Sequence, residues 1–99
     1  MTVFYLSKQP REETTFAVDL AGFREVQQGE KIKTVEVLCT LGGEEAEDIV
    51  VSSSHTDSVV KVRVAGGDDG KKYLIEILAT TDGGHVRETD VLLEVRERP

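Results

Sequence analysis

The sequence predicts an all-β domain built as a two-sheet sandwich. Apolar residues recur at every second position through most of the chain from residue 31 onward, which is typical of strands that bury one face. Glycine and aspartate clusters separate these runs at short intervals, as expected for tight turns between strands. No apolar pattern with a 3.6-residue period lasts long enough to predict a substantial helix.

Four alternating runs define the strands after residue 31. The residues predicted to face inward are Val35, Val37, Cys39 and Leu41 in the first run, Val60, Val62 and Val64 in the second, Tyr73, Ile75, Ile77 and Ala79 in the third, and Val91, Leu93 and Val95 in the last. Turns are predicted at 42–43, 66–70 and 82–84, where glycines supply the positive φ values of tight hairpins. A short strand at 49–51 is expected to lead into a polar connection over 52–58.

The first thirty residues follow a different pattern. Residues 15–20 predict another strand, with Phe16, Val18 and Leu20 inward, and residues 21–23 are expected to cross one end of the core. A short helix over 24–30 is an alternative, although Gly29 interrupts it.

The chain divides into an N-terminal arm or edge strand over residues 1–12 and a single sandwich domain over 13–99. A chain of 99 residues can bury one hydrophobic core but not two. The arm contains the apolar residues 3–6, followed by a charged stretch at 8–13. Two alternatives remain open: the arm adds an edge strand to its own domain, or it docks on a neighbouring subunit by strand addition.

The charge balance argues against two classes of partner. The chain carries 12 basic and 19 acidic residues, for a net charge of −7. Nucleic-acid binding and association with anionic membranes both depend on basic residues, so neither is expected. No apolar run approaches the ~18 residues of a spanning helix, and the start lacks the features of a secretory leader. We therefore expect a chain that is made and used without export.

No group of residues predicts catalysis or a cofactor. Cys39 lies in an alternating apolar run and is expected to be a buried, unreactive thiol. His55 and His85 are expected to be solvated loop residues, and with Cys39 they are too few and too dispersed for a zinc site. Ser54 and Asp57 lie too close to His55 in one loop to form a hydrolytic triad. The chain is predicted not to be an enzyme.

A weak ion site is a minor alternative. Asp68 and Asp69 precede Gly70, and Asp82 lies in a neighbouring turn. The three carboxylates are therefore candidate ligands for an ion at one end of the domain. Aspartate beside glycine is also what a hairpin turn requires, and that interpretation is preferred. No metal is predicted.

Several segments together resemble a family of small tailed-phage virion proteins. The segments that carry the resemblance are 8–10 (KQP), 16–19 (FAVD), 65–76 (AGGDDGKKYLIE), 79–84 (ATTDGG) and the valine-containing strand at 88–97. That family includes fiber-tail adaptors and tail-associated structural proteins. The resemblance implies an immunoglobulin-like antiparallel β-sandwich of about seven strands, and a phage or prophage origin.

The resemblance implies a structural virion component, a tail or fiber-tail adaptor subunit that acts by protein–protein assembly. Other virion proteins would be its partners, and a homo-oligomer is an option. The candidate partner-binding residues are Phe4, Tyr5 and Leu6 in the arm, and Leu38, Leu74, Leu78 and Leu92 on the predicted outward faces of the strands. The alternative is a ligand- or carbohydrate-binding immunoglobulin-like module, which 5% aromatic residues and no tryptophan disfavour.

Overall fold

The computed structural model describes residues 3–46 and 48–97, so Met1, Thr2, Glu47, Arg98 and Pro99 lie outside the described residues. The elements in chain order are β1 (Val3–Lys8), β2 (Thr14–Asp19), α1 (Arg24–Gln27), β3 (Ile32–Leu41), β4 (Glu44–Glu45), β5 (Val50–His55), β6 (Val59–Val64), β7 (Lys72–Thr81) and β8 (Val86–Val95). The strand content confirms the predicted all-β class.

The strands form the two layers of a sandwich. The five-stranded sheet has the order β1-β8-β7-β3-β4, and the three-stranded sheet has the order β2-β6-β5. Neighbouring strands run antiparallel except β1 and β8, which pair in parallel from Val3↔Asp90 to Lys8↔Val95. The described residues thus form eight strands where about seven were predicted, and the two-residue β4 is the shortest of them.

The core lies between the sheets and uses the predicted alternation. Along β6 and β7 every second side chain is buried, because successive residues of a strand point to opposite faces, whereas Val35, Val37 and Leu41 of β3 are partly buried. The fully buried large side chains are Ile75, Ile77, Leu93, Val60, Val62, Val64, Val91 and Val95.

A tyrosine fastens the connection between β6 and β7. Tyr73 is buried at the start of β7, and its hydroxyl accepts a hydrogen bond of 3.0 Å from the backbone N–H of Asp68. Gly67 has φ +93, and a Cβ there would lie 2.7 Å from Val95 Cγ2. Only glycine fits this close approach, so the turn and the strand it precedes are fixed together. A tyrosine bonded to the preceding corner recurs in immunoglobulin-like sandwiches.

One local prediction was wrong. Residues 52–55 belong to β5 rather than to a polar connection, because the backbone of Ser52, Ser53 and Ser54 pairs with β6. An edge strand can carry exposed serines, since backbone pairing does not depend on apolar side chains. The alternative of a short helix over 24–30 is confirmed in part: the helix is a single turn, Arg24–Gln27, and ends before Gly29, whose φ is +100.

The described part of the arm forms β1, which occupies one edge of the five-stranded sheet. Its last residue, Lys8, is buried, and Lys8 Nζ donates to the carbonyl oxygen of Gln9 at 2.9 Å. Burial lowers the pKa of Lys8.

Candidate functional site

The outward side of the five-stranded sheet, here called the outer face, gathers most of the predicted partner-binding residues. It is the side that points away from the three-stranded sheet. Its members are Val3, Tyr5 and Ser7 of β1, Val86, Glu88, Asp90, Leu92 and Glu94 of β8, Lys72, Leu74, Glu76, Leu78 and Thr80 of β7, and Thr34, Glu36, Leu38 and Thr40 of β3. The two-layer architecture covers only the inner side of this sheet.

Five of the predicted residues form a continuous apolar path across the outer face, here called the leucine track. Tyr5 pairs with Leu92, and Leu92 pairs with Leu74 on the next strand. Leu38 pairs with Glu76, which places it diagonally between Leu74 and Leu78, about 7–8 Å from each. Tyr5 is 79% exposed and Leu38 is 37% exposed. The four leucines predicted to face outward therefore do lie side by side.

Phe4 and Leu6 point to the opposite side of β1 and are not part of the leucine track. Leu6 pairs with Leu93 and packs against the core, while Phe4 pairs with Val91 and is 45% exposed. Phe4 lines a cleft of about 250 Å³ at the open side of the sandwich, together with Val18, Leu20, Phe23 and others. The structure thus separates the arm residues into an outward Tyr5 and an inward pair.

An acidic cluster lies among the leucines. Glu76 and Asp90 are direct cross-strand partners, and Glu88 precedes Asp90 on the same side of β8. Glu36 pairs with Leu78, which in turn pairs with Glu88. Carboxylates and leucines thus alternate over the outer face.

Asp90 is the most unusual member of this cluster. It is only 6% exposed, and within residues 3–46 and 48–97 its Oδ1 has no hydrogen-bond partner. The pKa of Glu88 is raised, first by a hydrogen bond with Asp90, then by the charge of Asp90, by burial and by the charge of Glu76. The carboxylates are therefore crowded, and Oδ1 of Asp90 has no donor among the described residues.

Sequence inspection missed this cluster, although a signal for it exists. The β7–β8 hairpin closes around Gly83, and Glu76 and Asp90 lie equally far before and after that residue. A hairpin centred on Gly83 therefore predicts that the two side chains face each other. The alternation alone had shown only that Glu76 points outward.

A second buried carboxylate, Glu25, lies against the start of β8, where it meets Arg87. Arg87 Nε donates to Glu25 Oε2 at 3.1 Å and Arg87 Nη2 donates to Glu25 Oε1. The guanidinium carbon of Arg87 also lies 5.4 Å from the centre of the Phe23 ring. The hydrogen bond from Arg87 is the largest of the effects that lower the pKa of Glu25 to about 2. This group ties α1 to β8.

The remaining candidates named from the sequence are Cys39, His55 and His85. Cys39 is buried, which confirms the prediction, and burial raises the pKa of its thiol to about 11. His85 is exposed and its Nδ1 lies 3.0 Å from Glu30 Oε1, while Glu30 Oε1 also accepts a hydrogen bond from the Thr81 hydroxyl. His55 is an exposed residue at the end of β5.

The alternative of an ion site at Asp68, Asp69 and Asp82 is wrong, because the three aspartates do not lie together. Asp68 and Asp69 lie before β7 and Asp82 lies after it, so ten residues of extended strand, about 33 Å, separate them. Asp69 Oδ1 accepts the backbone N–H of Glu97 at 2.8 Å, and Asp82 Oδ1 accepts that of Lys31 at 3.2 Å. In the described part of the chain, no group of three or more histidine, cysteine or acidic residues is placed to hold a metal ion.

A large cleft of about 520 Å³ lies beside β4 and the β6–β7 turn. Its walls include the carboxylates Glu44, Glu45, Asp48 and Asp68. Tyr73 also lines it, but the tyrosine is buried and its hydroxyl already accepts the Asp68 N–H. The cleft therefore presents no aromatic platform for a sugar ring. Among the described residues, no helix has the length and hydropathy needed to cross a bilayer.

Comparison with protein families gives a match over residues 8–94 to the family described as "Podophage GP4 fiber-tail adaptor protein gp77". The matched range runs from the last residue of β1 almost to the end of β8, so it spans both sheets. Comparison with curated proteins gives no match.

Solved structures show the fold. Murine CRIg is similar with a TM-score of 0.58 and 13% identity, over 94% of this chain and 92% of that chain. The M3 domain of titin gives a TM-score of 0.53 and 10% identity, over 96% and 90%. A 2,6-sialyltransferase from Photobacterium gives 0.54 and 15%, over 97% of this chain but 18% of that chain. The two nearly full-length matches support the immunoglobulin-like β-sandwich.

Proposed function

The chain belongs to the podophage GP4 fiber-tail adaptor family, and on that premise we propose that it is a virion subunit that joins tail proteins to fiber proteins by protein–protein contact. Membership of this family makes the chain a structural phage component. The proposal adds the mode of action: a stiff sandwich presents one sheet face in fixed geometry to another virion protein.

The observation that carries the proposal is the leucine track on the outer face. Tyr5, Leu92, Leu74, Leu38 and Leu78 are contiguous on a sheet side that no second layer covers in the described part of the chain. Contiguous apolar surface of this kind is a feature of interaction sites. The sheet has three strands of about 33 Å, one of about 20 Å and one of about 7 Å, and at a spacing of about 4.8 Å they offer roughly 600 Å², near the ~800 Å² per partner of a standard interface.

The carbohydrate-binding alternative has less support. Phe4 and Tyr5 are the exposed aromatic residues, and they leave β1 on opposite faces, so they do not form one stacking surface. The protein-binding role is therefore the one we propose, with non-catalytic assembly as its mechanism.

The test is incorporation into phage particles. We would supply the double variant Leu38→Ser/Leu74→Ser in place of the wild-type chain and analyse purified particles by mass spectrometry and electron microscopy. The matched control is Val51→Ser, an exposed apolar residue of β5 in the other sheet. Circular dichroism and melting of each purified variant show that it folds.

We expect the wild-type chain and the Val51→Ser control in the tails, and loss of the double variant together with the fibers. A wild-type chain that is absent from purified particles would contradict the adaptor function. A folded double variant that is incorporated normally would remove the leucine track from the proposal.

A homo-oligomer is a separate part of the prediction. The outer edge of β1 is a candidate for pairing with a second copy, since among the described residues β1 has a hydrogen-bonded neighbour on one side only. Sedimentation velocity of the full chain and of a chain lacking residues 1–7 tests it. A monomer in both cases at high concentration contradicts self-assembly through the arm.

A further inference from the structure

Resting on the proposed adaptor function, we propose that the outer face binds a cationic segment of a different virion protein, whose arginine or lysine enters the acidic cluster Glu76, Glu88 and Asp90 while apolar side chains of the same segment cover the leucine track. The inference names the chemistry of the partner. It follows from the buried Asp90 oxygen that has no donor among the described residues, the sign of the charge on this face, and the alternation of acidic and apolar residues.

The first step is the unsatisfied carboxylate. Asp90 Oδ1 has no donor in the described part of the chain, although more than nine-tenths of the residue is buried. A buried acceptor left without a hydrogen bond is destabilising, and a buried charge without a cation more so. Its cross-strand partner Glu76 and the adjacent Glu88 have the same sign and increase the penalty. A guanidinium or ammonium group is the group that would satisfy all three.

The second step is the sign of the whole outer face. Its acidic members are Glu36, Glu76, Glu88, Asp90 and Glu94, and the basic member is Lys72, which pairs with Glu94. A two-fold contact between two copies of this face would bring identical acidic patches together. Like charges in a desolvated contact repel strongly, so a second copy is not the occupant. The surface that fits carries the opposite charge.

The third step is the pattern within the face. Glu76 lies between Leu74 and Leu78 along β7 and opposite Leu38 on β3. An extended segment that alternates basic and apolar residues would match this spacing, because its side chains also repeat every second residue on one side. Arginine suits the cluster best, since its planar guanidinium can bind two carboxylates at once. A depression of about 270 Å³ between Tyr5, Lys72 and Leu92 gives room for an apolar side chain.

The first test uses a synthetic probe and the full-length chain. The probe is a ten-residue peptide of alternating arginine and leucine, and its control replaces each arginine with citrulline, the uncharged analogue. Binding is followed by NMR chemical-shift changes of the backbone amides. The outer variant is Glu76→Gln/Glu88→Gln/Asp90→Asn. The matched control variant is Glu44→Gln/Asp48→Asn/Asp68→Asn, which removes the same charge at the large cleft.

We expect the arginine peptide to shift amides of β7 and β8, and the outer variant to weaken its binding by about tenfold or more. The control variant should bind within about twofold of wild type, since only long-range charge is lost and salt screens it. Equal weakening by both variants, shifts that map to the large cleft, or equal binding of the citrulline peptide would each overturn the proposal.

The second test separates this inference from the adaptor function. Both triple variants are supplied to phage particles as above. Exclusion of the outer variant with incorporation of the control variant supports a cationic partner. If the wild-type chain is in the tails and the outer variant is incorporated equally well, the cationic partner is wrong and the adaptor function stands. If the wild-type chain is not in the tails, both proposals fail.

Discussion

Glu25 and Asp90 are two carboxylates of similar burial, 7% and 6% exposed, in opposite surroundings. Glu25 receives two hydrogen bonds from Arg87 of the same chain, and its charge is neutralised within the fold. Asp90 faces Glu76 across the strands and lies next to Glu88, with no donor to its Oδ1 in the described residues. The difference teaches that burial alone does not define a structural role. A completed ion pair fixes α1 to β8, whereas the incomplete one is left for a group from outside the chain.

The largest effect is expected from breaking the completed pair. Arg87→Ala leaves Glu25 buried without its cation and removes the guanidinium from the Phe23 ring, so the melting temperature should fall by several degrees. The control is Arg63→Ala, which breaks the exposed pair with Glu13 and should have a small effect. Thermal melting by circular dichroism measures both. Equal decreases in melting temperature would show that the Glu25–Arg87 pair stabilises the fold no more than an exposed ion pair does.

Substitution of Asp90 is expected to stabilise the fold rather than destabilise it. Asp90→Asn removes one of three crowded charges and supplies an amide that can donate to Glu76 or Glu88, so the free energy of unfolding should rise by about 1 kcal/mol. Urea denaturation at neutral pH measures it. Asp48→Asn is the exposed control and should change stability by less than about 0.5 kcal/mol. A loss of stability on Asp90→Asn would mean that the carboxylate already has a satisfied role.

Acidification should affect the two regions in opposite directions. The pKa of Glu25 is lowered to about 2, so its stabilising effect is complete above its ordinary pKa of 4.5 and is lost as the pH falls toward 2. The pKa of Glu88 is raised, so its repulsion is present at neutral pH and is relieved as the pH falls through that raised value. Melting curves from pH 7 to 2.5 test both effects. Glu25→Gln should lack the decrease in melting temperature at the lowest pH, and Glu88→Gln should lack the increase that accompanies protonation of Glu88. If both variants show the same pH dependence of the melting temperature as the wild type, the roles given to Glu25 and Glu88 are wrong.

The smallest effect is expected in the reactivity of Cys39. Its thiol is buried on β3 and has a pKa near 11, so alkylation at pH 8 requires opening of the sandwich. Iodoacetamide labelling followed by mass spectrometry should be slow for the wild type, faster for Arg87→Ala and slightly slower for Asp90→Asn. Identical rates would indicate that neither carboxylate influences opening of the sheet at β3.

The fold was predictable because one face of each strand is apolar. Val60, Val62 and Val64 need only the two-residue period to be assigned to the core, and the same period places Leu38 and Leu74 outside it. The predicted strand at β5 was too short because Ser52, Ser53 and Ser54 show no apolar alternation. These residues form a strand because their backbone pairs with β6.

The site was only partly predictable because it depends on register and on distant contacts. The period shows that Leu74 and Leu92 face outward, but their side-by-side position depends on where the β7–β8 hairpin closes. Glu25 and Arg87 are 62 residues apart, and no local pattern connects them. Asp68 and Asp82 do not form an ion site for the same reason. Their turns follow each other along the sequence, but they lie at opposite ends of β7.

The parallel pairing of β1 with β8 has a mechanical consequence. The two strands run in the same direction from Val3↔Asp90 to Lys8↔Val95, so the start of β1 and the end of β8 lie at opposite ends of the ladder. Tension applied between those two points pulls the strands past each other along their length. The hydrogen bonds of the ladder then share the load and must fail together, rather than opening one by one as in a hairpin that is peeled from its open end.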